Sequence, residues 1–310
     1  MEISLSVIIA TKDRFEDIKT CIASIINQTL FPQTLIVVDA SEKNGLDKII
    51  NDQLKGIDLE FFYIHSKPGL THQRNLGILN NQKDYILFLD DDVVLDKNYI
   101  REMLLTINHA GHDVGGLTGL ITNATQLGLF SSFVRKIFFL PENGKGEIKK
   151  SGANNNYFKL SEITEIQWLS GSNQFYKSAV FQYELFDENL KGYGYMEDVD
   201  FSFRISRYFK LLYNPKARCI HHQKTSKETR TAIREKQKLF MKNYHYLFKK
   251  NRQQTKINIL CHYWSCLGLL LRGIFFERNL GFILGTIEGI SENLYNQNEL
   301  INPKIHDSQR

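Results

Sequence analysis

Up to about residue 120, short β-branched runs alternate with amphipathic stretches of ten or more residues. That rhythm restricts the chain to an α/β fold in which helical crossovers join the strands. Leu5–Ala10, Leu35–Val38, Leu59–Ile64, Tyr85–Leu89 and Val114–Thr118 read as strands. Several are apolar throughout, as strands buried on both faces are, so a mostly parallel central sheet is expected. Phe15–Asn27, Gly45–Leu54, Thr71–Asn80 and Asn98–His109 read as the intervening helices, with Ile18, Ile22 and Ile25 spaced for one buried face. Asp13 and Asp96 stand where helix starters stand.

Residues 121–165 lose this rhythm, with Gly, Asn and Lys concentrated in Asn143–Asn156, and read as a long surface excursion. Pattern resumes at Ile166–Tyr176, then in an acidic-to-helical segment Glu197–Tyr208 and two short strands, Leu211–Tyr213 and Arg218–Ile220. We expect an α/β domain over 1–222 that divides at about residue 120. A helical C-terminal extension is expected over 223–310.

The chain's 310 residues include 39 Lys+Arg against 34 Asp+Glu, a net +5, and 42% of them are hydrophobic, enough to build a core and exclude disorder. Lys224 to Lys256 alone carries eleven basic and two acidic residues, 11 − 2 = +9, which exceeds the excess of the whole chain. Ile233, Phe240, Tyr244 and Leu247 fall at helical spacing there, giving a basic helix with an apolar stripe. No nucleic-acid recognition motif accompanies it, so nucleic acid is not an expected partner. Ile257–Phe276 is the most apolar long stretch, yet it holds Asn258, His262, Ser265 and Arg272, which favours interfacial attachment over a span. The alternative is that these helices fold back on the catalytic domain or form a dimer contact. Met1 to Ala10 lacks a basic leader, and Cys21, Cys219, Cys261 and Cys266 show neither metal spacing nor a disulfide framework. Both features suit a reduced, cytosolic compartment.

Three consecutive carboxylates, Asp90, Asp91 and Asp92, follow the strand Tyr85–Leu89, at the carboxyl end where open α/β sheets bind ligands. Asp90 and Asp92 would point the same way and could share a hard cation such as Mg²⁺ or Mn²⁺. A capping or turn cluster is the plainer reading. A second acidic cluster, Glu197-Asp198-Val199-Asp200, opens a helix, where carboxylates are favourable in any case. Before it, Gly192-Tyr193-Gly194-Tyr195 would supply close backbone approach and flat surfaces for a sugar ring. His221-His222 follows a strand and could complete a metal shell, although such a pair is more often structural. Phosphate-loop, dinucleotide-binding and hydrolase-elbow motifs are absent.

Together these segments resemble the family 2 glycosyltransferases, whose fold is the GT-A nucleotide-sugar domain. The elements that carry the resemblance run from Ser6-Val7-Ile8-Ile9-Ala10-Thr11-Lys12-Asp13-Arg14 through Val37-Val38-Asp39 and Arg74-Asn75-Leu76-Gly77. Phe88-Leu89-Asp90-Asp91-Asp92, Trp168-Leu169-Ser170-Gly171-Ser172-Asn173 and Glu197-Asp198-Val199-Asp200 follow in order. The resemblance implies that Thr11, Arg14, Asp39, Arg74, Asp90 and Asp91 serve the nucleotide-sugar donor, with Asp39 at the nucleobase. It implies that Asp90, Asp92 and His221 hold Mn²⁺ or Mg²⁺, with His222 as the alternative if the register slips, and that Asp198 is the general base. Gly171, Ser172, Asn173 and Glu197 would lie on the acceptor side.

The resemblance makes 1–222 a catalytic domain, nucleotide-binding to about 120 and acceptor-binding over 121–222. The implied activity is metal-dependent, inverting transfer of one sugar from a UDP- or dTDP-linked donor to a lipid-linked glycan at the inner face of the cytoplasmic membrane. Bacterial surface-polysaccharide assembly is the implied setting, and a homo-oligomer is allowed. Two competing readings are a sugar-nucleotide-forming nucleotidylyltransferase and a non-catalytic glycan-binding protein. The first normally carries a Gly-rich, basic loop where Thr11-Lys12-Asp13-Arg14 stands, and the second has no need of intact Asp90, Asp92 and Asp198.

Overall fold

A computed structural model describes residues 4–124, 128–222, 230–252 and 254–301. The chain forms two compact units, one of Met1–Gly128, Glu142–Ile148 and Asn154–Lys224, the other of Leu129–Pro141, Lys149–Ala153 and Thr225–Arg310.

The first unit is built on β1 (Leu5–Thr11), β2 (Thr34–Asp39), β3 (Glu60–His65), β4 (Tyr85–Asp90), β5 (Val93–Leu95), β6 (Val114–Ile121), β7 (Thr164–Ile166), β8 (Asn173–Lys177) and β9 (Lys210–His221). They make one sheet in the order β3-β2-β1-β4-β8-β6-β9-β5, with β7 also on β9. Strands β1 to β4 are mutually parallel, as expected. The other half is a correction to a mostly parallel sheet: β8 runs antiparallel to β4 and β6, and β5 and β7 run antiparallel to β9. An incoming antiparallel β8 lets residues 170–173 arrive beside the carboxyl end of β4.

The period of two in β1 divides its side chains between two cores. Val7 and Ile9 face α1 (Phe15–Ile26) and α4 (Tyr99–His109) through Ile18, Ile22, Ile100 and Met103, whereas Ile8 joins Phe88, Tyr176 and Phe201 on the other side. Each such fully buried aliphatic side chain contributes about 1.5–3 kcal/mol. Helix α2 (Leu46–Gln53) crosses between β2 and β3, and α3 (Leu70–Leu79) between β3 and β4. A Cβ on Gly77 would strike the Ile8 side chain, so glycine is what lets α3 lie against β1.

Two helix starters are corrected. Asp13 adopts φ 56° and Arg14 takes the cap position of α1, while Asn98 takes that of α4, with no side-chain cap at either. The two short C-terminal strands are one continuous β9. Asn214-Pro215, between the two expected strands, sits where the β6–β9 register shifts, so the proline is absorbed in a bulge. Residues 121–165 are also no simple surface excursion, because Leu140, Ile148, Ala153 and Tyr157 are buried and 129–137 form a helix, α5. Glu197–Ile205 is α6, three residues shorter than the expected segment.

The second unit is helical: α5 (Leu129–Ile137), α7 (Arg230–Asn251), α8 (Lys256–Arg272), a π-helical turn over Gly273–Glu277 and α9 (Leu280–Ile301). Met241, Tyr244, Leu247 and Phe248 of α7 and Cys261, Cys266 and Leu269 of α8 are buried. Gly281, Gly285 and Gly289, four apart on α9, leave no room for a Cβ against α7, which explains how closely the two helices approach. Of the basic run, Lys224, Lys227 and Glu228 lie outside the described residues. All four cysteines are buried thiols.

Candidate active site

Chain order turns from β1, β2 and β3 on one side to β4 on the other, so a crevice opens between the carboxyl ends of β1 and β4. Thr11 ends β1 and Asp90 ends β4. Thr11 Oγ1 donates to Asp91 Oδ2 at 2.7 Å, and Arg14 Nη1 reaches both Asp91 Oδ1 at 3.0 Å and Asp92 Oδ2 at 2.8 Å. The loop after β1 is thereby tied to the triple aspartate.

His221 ends β9 and is brought in by the β5–β9 ladder, in which Val93 pairs with His221. Its Nε2 lies 2.9 Å from Asp92 Oδ1 and 3.7 Å from Asp90 Oδ2. Ligand atoms of Asp90, Asp92 and His221 all fall within 4.8 Å of one another. The residues fit a hard divalent cation. Two carboxylates and an imidazole are a suitable donor set, and the buried Asp92 Oδ1 receives no aligned hydrogen bond. His222 is exposed and contributes its backbone amide to the Asp92 carbonyl at 2.8 Å.

Arg74, 2% exposed, organises the opposite wall. Its guanidinium donates to Asp90 Oδ1 at 3.1 Å, to the Gly171 carbonyl at 2.7 Å and to Glu197 Oε1. Asp198 in the first turn of α6 accepts from the amides of Gly171 and Val199, each at 2.8 Å. A Cβ on Gly171 would press on the Glu197 and Asp198 carboxylates at 3.0–3.2 Å, so a larger residue there would require both to shift. Asp200, from the same acidic cluster, is instead paired with Arg204 within α6 at 2.9 Å.

Charge explains the electrostatics. Among the described residues, Asp90, Asp91, Asp92, Glu197 and Asp198 face Arg14, Arg74 and His221, a deficit of positive charge that a divalent cation would offset. Burial pushes the carboxyls of Asp90 and Asp198 up, Asp91 to about 6 and Glu197 to about 8. Burial also opposes ionisation of Asp92, but the contact with His221 and the nearby Arg14 outweigh it and hold that carboxyl low. His221 is raised in turn, since Asp92 and Asp90 overcome its desolvation.

Other expected residues are placed less centrally. Asp39 is fully buried, and its carboxylate accepts from the Ser41 amide and hydroxyl and from the Tyr63 hydroxyl, at 2.8, 2.5 and 2.7 Å. Ser172 lends its carbonyl to the Asp90 amide at 3.1 Å. Asn173 turns into the sheet, where its Oδ1 accepts from Tyr99, Thr118 and Gly119, and it is fully buried rather than on a surface. Gln73 went unnoticed in the sequence. Its Nε2 donates to the Thr11 carbonyl at 2.9 Å and the Val38 carbonyl at 2.8 Å, bracing the ends of β1 and β2. No spacing singles out a glutamine in that role; only its neighbour Arg74 marked the helix.

Residues 6–145 match the model of Glycosyl transferase family 2. The chain carries a family 2 glycosyltransferase domain. EpsH of Bacillus subtilis (strain 168), named as a glycosyltransferase, is 30% identical over 104 residues, 33% of this chain and 30% of EpsH, so the match spans under a third of that relative. Mannosyltransferase PcManGT from Pyrobaculum calidifontis, solved with GDP-Man and Mn²⁺, superposes with a TM-score of 0.62 at 11% identity, covering 96% of this chain and 88% of that one. S. aureus TarS 1-349 in complex with UDP-GlcNAc gives 0.54 at 15%, covering 94% and 81%. At these identities the structural likeness is one of fold, and the first unit has the GT-A architecture.

Proposed function

We propose that the protein is a metal-dependent inverting glycosyltransferase that moves one sugar from a nucleoside-diphosphate donor to a hydroxyl of a glycan acceptor. One observation carries the reading: Arg74 joins the carboxylate of Asp90, beside Asp92 and His221, to the loop and helix that hold Asp198. This supports a cation site and a part-buried base held in one frame.

In this reading Asp90, Asp92 and His221 hold Mn²⁺ or Mg²⁺, which when bound neutralises charge on the donor's diphosphate. Thr11, Arg14 and Asp91 line the nucleotide side, and Asp39 keeps Ser41 and Tyr63 at its edge. Asp198 takes the proton of the attacking acceptor hydroxyl, a task helped by burial, which raises its affinity for that proton. Glu197 and Gly171 fix its position. Single displacement needs no second carboxylate nucleophile. Tyr193 and Tyr195, with ring centroids 4.8 Å apart, offer a sugar-binding face before α6. A UDP- or dTDP-linked donor, a lipid-linked acceptor and a role in surface polysaccharide assembly complete the proposal. The enzyme would work in the cytoplasm, peripheral to the inner membrane face through its C-terminal helices.

Thermal-shift and slow-hydrolysis assays of the purified protein, run across nucleotide sugars with Mn²⁺, Mg²⁺ or chelator, test the reading. A metal-dependent response to one donor supports it and names the sugar. Silence toward all donors, with pyrophosphate released from a nucleoside triphosphate and a sugar phosphate, would replace it with a nucleotidylyltransferase.

A further inference from the structure

The second unit presents an apolar face that its own core does not use. On α8 the buried residues are Cys261, His262, Ser265, Cys266, Gly268 and Leu269. Ile257, Leu260, Trp264 and Leu267, three or four residues apart, stand exposed, Leu260 by 69%. Helix α5 lies alongside: the Trp264 indole N–H donates to the Ile137 carbonyl at 2.8 Å, and its ring stacks on Phe138 with centroids 5.2 Å apart. Phe133 and Ile137 of α5 are exposed too.

We propose that this α5–α8 face rests on an anionic lipid bilayer, with α8 lying along the surface. The inference deepens the membrane-surface reading above and rests on it. Lys256–Glu277 is 22 residues, about 33 Å of helix, long and apolar enough to cross a membrane. Its inner face is committed elsewhere. His262 Nδ1 pairs with the Ser151 carbonyl at 3.0 Å, and the Tyr244 hydroxyl pairs with that carbonyl at 2.8 Å and with Ser265 at 2.7 Å. A span would strip these buried polar groups of partners, so α8 offers one face only.

Charge selects the occupant. Along the chain from 249 to 278, Lys249, Lys250, Arg252, Lys256, Arg272 and Arg278 flank or lie on α8 against the single acid Glu277, which is paired with Arg272. Arg135 and Lys136 add to them on α5. A second copy related by a two-fold axis would bring like charges together, whereas acidic headgroups neutralise them. Trp264 sits where aromatic residues favour the interface.

The test uses the full chain with vesicles of phosphatidylglycerol and phosphatidylcholine. Trp168 is buried, so a change in tryptophan emission reports Trp264. Expected are a blue shift, quenching by brominated acyl chains, co-sedimentation with the mixed vesicles but not with pure phosphatidylcholine, and release by carbonate. A Leu260→Ser, Leu267→Ser chain, both positions being exposed, should keep its far-ultraviolet spectrum and nucleotide response while its partitioning falls roughly tenfold. Equal binding by that variant overturns this face but leaves membrane attachment standing. No binding by the parent chain overturns both. Resistance to carbonate would make α8 a span, and a dimer that the variant dissolves would make the occupant a second copy; either result overturns the proposal.

Discussion

The Gly171 amide donates to Asp198 Oδ2 at 2.8 Å, and the Gly171 carbonyl accepts from Arg74 at 2.7 Å. One peptide segment thus fixes the carboxylate proposed as base relative to the guanidinium that also holds Asp90.

Asp198→Asn removes the base and sets an amide donor against one of two backbone N–H groups. Transfer should fall by about 10²–10⁴, with donor affinity in Mn²⁺ within a few-fold of the parent. Initial rates and calorimetric titration check this, and near-parental transfer would remove Asp198 from the proposed role.

Asp92→Ala and His221→Ala each delete a member of the proposed cation set. Nucleotide-sugar affinity measured with Mn²⁺ should drop at least about tenfold, while affinity measured in chelator should barely change. An unaltered Mn²⁺ advantage in both variants would refute the assignment.

Glu197 lends itself to a pH test. Its folded value of about 8 stands above the ordinary 4.5 because of burial and the neighbouring Asp198 and Asp90, against the pull of Arg74. The proton is bound more tightly in the folded state, so this contribution to stability is fully present below 4.5 and is lost as the pH rises through about 8. Glu197→Gln mimics the protonated form. Parent Tm minus variant Tm should therefore decline across that window and level off above it; a flat difference would refute the shift.

Gly77→Ala should destabilise by about 1–3 kcal/mol through overpacking, since the new methyl meets Ile8. That corresponds to a Tm lower by roughly 2–10 °C. Ile8→Ala in the same chain should recover part of the activity, because α3 carries Arg74 and Gln73 into the crevice.

Much of this was legible because it is local. Apolar runs marked β1 to β4 to within a residue or two, and triple aspartate at the end of β4 announced the crevice. What stayed hidden depends on pairing between distant segments. Val93–Leu95 is too short to read as a strand until β9 pairs with it, and the bulge at Asn214-Pro215 makes one strand read as two. Asn173 is expected on the acceptor side beside Gly171, yet three donors from Tyr99, Thr118 and Gly119 turn it into the sheet. Residues 129–137 do not stand out as a helix in the sequence, and their tie to α8, from the Trp264 indole to the Ile137 carbonyl, joins segments 127 residues apart.

The pairing of Val93 with His221 also orders events during synthesis. Asp90, Asp91 and Asp92 leave the ribosome about 130 residues before the imidazole that meets them. Until β9 docks, the aspartates are a local excess of negative charge with an incomplete grip on a cation. A nascent chain therefore cannot bring Asp90, Asp92 and His221 together before nearly the whole GT-A unit has emerged, and if these three hold the cation as proposed, a truncated product ending before residue 221 would not consume donor.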